Sequence, residues 1–161
     1  MPKTLWSKHQ TPDEANRIEA GFNCFVVEHG GKRILIDTGG GVRHDERARE
    51  RMRWSPGPGF GTAPVEIVIN THLHWDHCGG NTIDEDGVIR PAFPDAMYLT
   101  QRGELTHARE QHPRDAVSYR AVNYEPLIAS GHLQLLDGNA EVLPGVEVRV
   151  APGHNRNMTI V

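Results

Sequence analysis

The chain has 161 residues, 37% of them hydrophobic and 24% charged, with a formal net charge of −4. That length suits one domain with one core, and the composition is globular rather than disordered. The charge offers no electrostatic pull toward nucleic acid, and no run reaches the roughly 18 apolar residues of a membrane span.

Only Cys24 and Cys78 occur, too few for a disulfide framework. Met1 to Trp6 carries no apolar run of the signal-peptide kind. The expected setting is therefore reduced and cytoplasmic, with no nucleic acid and no membrane as partner.

Residues 1–20 are polar, contain Pro2 and Pro12, and read as a loop. Phe22 to Glu28 and Arg33 to Asp37 are β-rich runs around His29-Gly30-Gly31-Lys32, a hairpin signal. The second run ends in Thr38-Gly39-Gly40-Gly41, a glycine turn. Val42 to Trp54 is a charged helical candidate, broken by Pro56-Gly57-Pro58-Gly59. Val65 to Asn70 is an apolar strand, and Ala96 to Thr100 is another. Gln101 to Gln111 reads as a helix that Pro113 ends, and Ala116 to Ser130 as a further helix closed by Gly131. His132 to Leu136, Ala140 to Leu143 and Val146 to Ala151 are short strands, and Asn157 to Val161 begins one more. Strands interleaved with helices and hairpins predict a mixed α/β sandwich, one domain over residues 1–161.

The chemistry lies in Asn70-Thr71-His72-Leu73-His74-Trp75-Asp76-His77-Cys78-Gly79-Gly80-Asn81. Imidazoles and carboxylates are good ligands for zinc and similar ions. In an extended segment His72 and His74 face the same way and can grip one ion. If the chain then turns into a helix, Asp76 and His77 project from its first turn toward a neighbouring position. Gly79 and Gly80 let the backbone pass close by. The spacing suits two adjacent metals better than one.

Other residues carry less. Cys78 reads as a small buried hydrophobe. Trp75 either lines a pocket or packs beneath the loop. His9, His29, His44, His107, His112 and His132 show no ligand spacing and read as surface residues. The mixed charges of Arg43 to Arg53 mark a solvated helix face. Gly39-Gly40-Gly41 lacks the Lys-Ser/Thr of a phosphate loop, and no Gly-x-Ser-x-Gly elbow is present.

His72-x-His74-x-Asp76-His77, with Leu35-Ile36-Asp37-Thr38-Gly39 upstream and Ala151-Pro152-Gly153-His154 downstream, resembles the metallo-β-lactamase-fold hydrolase superfamily. The wording from Thr71 to Asn81 is similar to its lactonase-like branch, and the resemblance runs from about Asn23 to His154. It implies an αββα sandwich, of which this chain would be the N-terminal portion. It implies His72, His74 and His154 as ligands of a first metal, and Asp76 and His77 as ligands of a second. Asp37 would orient a ligand from behind, with a strand-ending turn aspartate as the equal alternative.

The implied cofactor is zinc, as one or two divalent ions, with manganese, cobalt and iron also suited to such ligands. The implied reaction is cleavage of a small-molecule lactone or other ester through a metal-bound hydroxide, with Asp76 handling the proton. A thioester hydrolase of the glyoxalase II type and an organophosphate triesterase are the alternatives within the superfamily. β-Lactam hydrolysis would need an export signal, and diiron relatives carry glutamate where His74 stands.

Two departures from the family pattern matter. His154 is followed by Asn155-Arg156-Asn157-Met158, where many members have Thr or Ser and another Gly-His. The family's bridging aspartate and last histidine would both lie beyond Val161. The expectation is therefore a fragment lacking its C-terminal part, and also a strand that many relatives carry before the segment at Pro2 to Trp6, and so poorly soluble or oligomeric. A non-catalytic zinc-binding half-domain is the reading from another class.

Overall fold

The computed structural model describes residues 3–44, 46–52 and 63–161. The first strands form where β-branched and other apolar residues run together. β1 (Phe25–His29) and β2 (Lys32–Ile36) pair antiparallel, from Phe25 opposite Ile36 to His29 opposite Lys32. Gly30 and Gly31 both sit at positive φ (58° and 72°). A two-residue turn of that shape matches the right-handed twist of its strands.

β3 (Ile67–Ile69), β6 (Met97–Gln101) and β7 (Leu133–Leu136) complete a five-stranded sheet of order β1-β2-β3-β6-β7, parallel from β2 onward. β8 (Ala140–Leu143), β9 (Val146–Val150) and β10 (Thr159–Ile160) form an antiparallel three-stranded sheet. The hairpin β4 (Thr82–Glu85) and β5 (Val88–Pro91) stands apart.

Successive side chains of β2 go to opposite faces of the large sheet. Leu35 packs with Val68, Tyr98 and Leu127, the last from helix α5 (Glu125–Ala129). Ile34 packs with Ile69, Leu99 and Val148 of β9. One face is thus covered by helix and the other by the small sheet, which gives the helix–sheet–sheet layering of an αββα sandwich. A third cluster joins Leu105 and Ala108 of α4 (Arg102–Glu110) to Leu73, Cys78, Tyr119 and Tyr124, directly beneath the histidine motif.

Four readings of the sequence need correction. Lys3–Trp6 forms one helical turn, α1, inside the stretch read as loop, closed by Ser7 N–H donating to Lys3 O at 2.9 Å. The helix expected over 116–130 is broken into two 3₁₀ turns and α5. Tyr119 and Arg120 are extended there, and Tyr119 bridges His74 instead of continuing a helix. The hairpin β4–β5 was not read, although Asp86-Gly87 is a recognised hairpin pair. His44 is buried rather than on the surface: its Nε2 lies 2.9 Å from Gly40 O, and its ring meets Trp75 edge-on at 5.3 Å.

Within the 42–54 helical candidate, α2 covers Glu46–Met52; its expected break at 56–59 lies outside the described residues. Among the described residues no helix is long and apolar enough to cross a membrane.

Candidate metal centre

Three neighbouring parallel strands end at one edge, and each delivers a polar group there. β2 hands over to Asp37, β3 to Asn70-Thr71-His72, and β6 to the first turn of α4, which carries Glu104. The carboxyl ends of parallel strands are where open α/β sheets bind ligands. The chain stays extended to His74 and then turns into α3 (Trp75–Cys78), which puts Asp76 in its first turn beside His77.

His154 arrives separately, from the loop between β9 and β10. That loop is anchored by Thr159 N–H donating to Thr71 O at 2.9 Å. The nitrogen ligand atoms of His72, His74 and His154 all lie within 4.8 Å of one another. His154 Nε2 lies 3.2 Å from His74 Nδ1. His72 Nε2 and His74 Nε2 are buried without a hydrogen-bond partner. Buried polar atoms are nearly always satisfied, so the orphaned His72 Nε2, beside His74 Nδ1 and His154 Nε2 facing each other, fits a divalent cation well.

The electrostatics agree with that fit. Burial, then the neighbouring His77, His74 and His154, push the His72 pKa down to about 2, so its imidazole is neutral. Burial and His154 also lower His74, against the pull of the Glu104 and Asp76 charges. Neutral imidazole is the form that ligates metal.

Asp37, only 4% exposed, sits behind this group at positive φ (57°). Its Oδ1 accepts from Thr71 N–H at 2.8 Å, and its Oδ2 accepts from Thr71 Oγ1 at 2.7 Å. Thr71 Oγ1 in turn lies 3.2 Å from His72 Nδ1. With its own proton on Asp37, that hydroxyl accepts from His72 Nδ1–H and leaves Nε2 as the free lone pair. Asp37 Oδ2 also lies 2.8 Å from His77 Nδ1. Asp76 Oδ2 lies 3.6 Å from His77 Nε2, next to the three-histidine group but not counted within it.

Of the two roles left open for it, Trp75 shows packing. It is partly buried, packs edge-on against Phe22 at 5.8 Å and His44, and carries the Arg120 guanidinium over its ring at 5.2 Å. Cys78 is fully buried and donates to Leu73 O.

The sequence assigns no role to Thr71, Glu104, Tyr119 or Asn155, the last marked only as a departure from the family pattern. Thr71 had a signal, its place directly before His72. Glu104 looks like any charged residue near a helix start, and Asn155 like any loop polar residue.

Over 99 residues the chain is 31% identical to an N-acyl homoserine lactonase of Bacillus thuringiensis, a match covering 60% of this chain and 32% of the relative. The crystal structure of a probable metal-dependent hydrolase from Staphylococcus aureus superposes with a TM-score of 0.83 at 24% identity, covering 99% of this chain and 59% of that one. AidC, a dizinc quorum-quenching lactonase in complex with a product, superposes at 0.61 and 23% identity, covering 85% and 50%. The matched stretch thus spans about a third of the curated relative's length. The model of the metallo-beta-lactamase superfamily matches residues 21–156. This chain belongs to the metallo-beta-lactamase superfamily.

Proposed function

We propose that this chain carries the first metal site of a zinc-dependent hydrolase that opens a lactone or another small ester. The convergence of His72, His74 and His154, the first with an orphaned buried Nε2, is the observation that carries this reading. His72, His74 and His154 would hold one divalent ion, and Asp76 and His77 would contribute to a second. When bound, such ions supply Lewis acidity: they lower the pKa of water and draw charge from a carbonyl under attack.

The chain's own residues do the rest. Asp37 holds His72, through Thr71, and His77 directly in the tautomers that leave their Nε2 atoms free. Asp76, whose side chain is 38% exposed, is open to solvent and adjacent to the histidines. It would accept the proton of the attacking water and return it to the leaving oxygen, as a general base and then acid. The lactone preference comes from the lactonase relatives, and a thioester or phosphotriester would use the same arrangement.

The test is zinc content together with hydrolysis of an N-acyl homoserine lactone, for the parent chain and for His74→Ala. Two zinc ions per chain with turnover, both reduced in His74→Ala, is the expected result. Unchanged zinc content and turnover in that variant would refute the site assignment. One zinc without turnover would favour a second reading, a zinc-holding module without catalysis, consistent with three histidines forming a closed group by themselves.

A further inference from the structure

Next to the segment that carries His74 lies a second buried side-chain carboxyl that the reading above does not use. Glu104 is 0% exposed, and among the described residues it forms no ion pair. Neutral donors satisfy it instead. Its Oε1 accepts from Leu73 N–H at 2.9 Å and from the Tyr119 hydroxyl at 3.0 Å. Asn155 Nδ2 donates to Oε1 at 2.9 Å and to Oε2 at 2.8 Å.

These partners are not random neighbours. Leu73 stands between His72 and His74, so its amide fixes the extended segment that carries both. Tyr119 packs its ring against His74, with centroids 4.7 Å apart. Asn155 directly follows His154. Its Oδ1 also accepts from Asn157 N–H at 2.8 Å, which folds the loop back on itself.

Asn157 in turn covers the first turn of α4. A Cβ on Gly103 would lie 2.3 Å from Asn157 Oδ1, so a larger residue there would make the Asn157 amide turn aside. The loop bearing His154 is therefore bonded to α4 through Asn155 and packed against it at Gly103, and Glu104 touches both ligand-bearing segments, as does Tyr119, whose hydroxyl lies 3.1 Å from Asn155 Nδ2.

Building on the three-histidine reading, we propose that Glu104, acting through Asn155, is the positioning residue that presets the distance between His154 and the His72–His74 pair. The metal site gains because the ligands are ordered before a cation arrives, so less entropy is lost on binding. The residues after His154, which depart from the family pattern, are the ones that make the clamp.

Cobalt(II) is the probe, because its visible bands report ligand number and geometry. Affinity is read by competition with a chromophoric chelator, for the parent chain, Glu104→Gln, Asn155→Ala, their double variant and His154→Ala. Circular dichroism confirms folding at the assay temperature. Glu104→Gln and Asn155→Ala are each expected to weaken cobalt binding about 10–100-fold and to shift the bands. The double variant should be little worse than the weaker single, because both remove one contact.

Parent-like affinity and bands in Asn155→Ala would overturn the proposal, whatever Glu104→Gln does, and Asn155→Ala alone decides if Glu104→Gln does not fold. Weak binding by His154→Ala together with parent-like clamp variants would sink the clamp and leave the metal site standing. Parent-like binding by His154→Ala would instead remove the three-histidine reading itself.

Discussion

Asp37 Oδ2 lies 2.8 Å from His77 Nδ1, and the same oxygen accepts the Thr71 hydroxyl at 2.7 Å. One buried carboxylate thereby sets the tautomers of two histidines. Burial works against a charged His77, but the Asp37 hydrogen bond and charge, aided by Asp76, outweigh it, and the His77 pKa moves up.

An imidazole that holds its proton more tightly must release it to a metal, so zinc affinity at His77 should fall as pH falls. In Asp37→Asn an amide NH₂ facing His77 would donate to Nδ1 and leave the proton on Nε2. The expected result is about 10–100-fold weaker binding of the second zinc, with binding at the three-histidine group less affected. A zinc titration that superimposes on the parent's would show that Asp37 does not control His77.

His107 and Asp115 make a pH-sensitive pair outside the proposed ligand set, with Nε2 and Oδ2 2.9 Å apart and Tyr119 between His107 and His74. The hydrogen bond to Asp115 raises the His107 pKa above 6.5, and the same bond lowers Asp115 below 3.8. A raised histidine stabilises the fold fully below its unfolded value and loses that contribution as pH rises through its folded value. A lowered carboxylate contributes above its unfolded value and loses the contribution as pH falls through its folded one. The pair is therefore most stabilising between the two unfolded values.

With side chains 31% and 28% exposed, the gain is discounted to at most about 1 kcal/mol. In urea unfolding of the metal-free chain, His107→Gln should cost about that much near pH 5.5 and almost nothing near pH 9. A cost that does not vary with pH would contradict the assignment.

The two cysteines are expected to be inert. Burial, and then the charge of Asp37, pushes the Cys24 thiol up to about 11, and full burial pushes Cys78 higher still. Near pH 8 the Cys24 thiolate fraction is then on the order of one in a thousand, against roughly a quarter for a free cysteine. Thiol titration with a disulfide reagent should run about 100-fold slower in the folded chain than in urea, with Cys78 the last to react. Cys78→Ser should keep its zinc; loss of zinc would make Cys78 a ligand after all.

How far this molecule was legible in its sequence depends on the range of the forces involved. The continuous apolar runs in Arg33 to Asp37 and Val65 to Asn70 showed the strands that carry the site, because a strand buried on both faces needs no polar alternation. The i, i+2 spacing of His72 and His74 and the helical turn at Asp76-His77 were local enough to read as well. The β4–β5 hairpin had its Asp-Gly signal and was passed over.

The broken helix at 116–130 had no comparable signal. Tyr119 leaves helical geometry to bridge His74 and donate to Glu104, partners 45 and 15 residues away in sequence, respectively. Glu104 and Asn155 were hidden for the same reason: their meaning is a contact across 51 residues. His154 was found only because the family pattern pointed to it.

The pairing of Asp37 with His77 depends on two loops touching through bare backbone, and this can be tested directly. Thr38 N–H donates to His77 O at 2.7 Å, and Gly80 N–H donates to Gly39 O at 3.3 Å. A Cβ on Gly79 would lie 2.3 Å from Gly40 O and 2.4 Å from Gly40 C. Those atoms are main chain and cannot rotate aside, so Gly79→Ala must force the loop after β2 away from α3. Overpacking of this kind costs about 1–3 kcal/mol, and a melting point would fall about 2–4 °C per kcal/mol for a chain of this size.

The same movement should pull Asp37 from His77 and weaken zinc binding, so stability and affinity should fall together. Gly21→Ala is the control: its Cβ would meet nothing within 4 Å and its φ is not positive. That change should be neutral, or stabilising by up to about 1 kcal/mol through the unfolded chain. If Gly79→Ala melts and binds zinc like Gly21→Ala, the two loops are not pressed together as described, and the tautomer control assigned to Asp37 loses its structural basis.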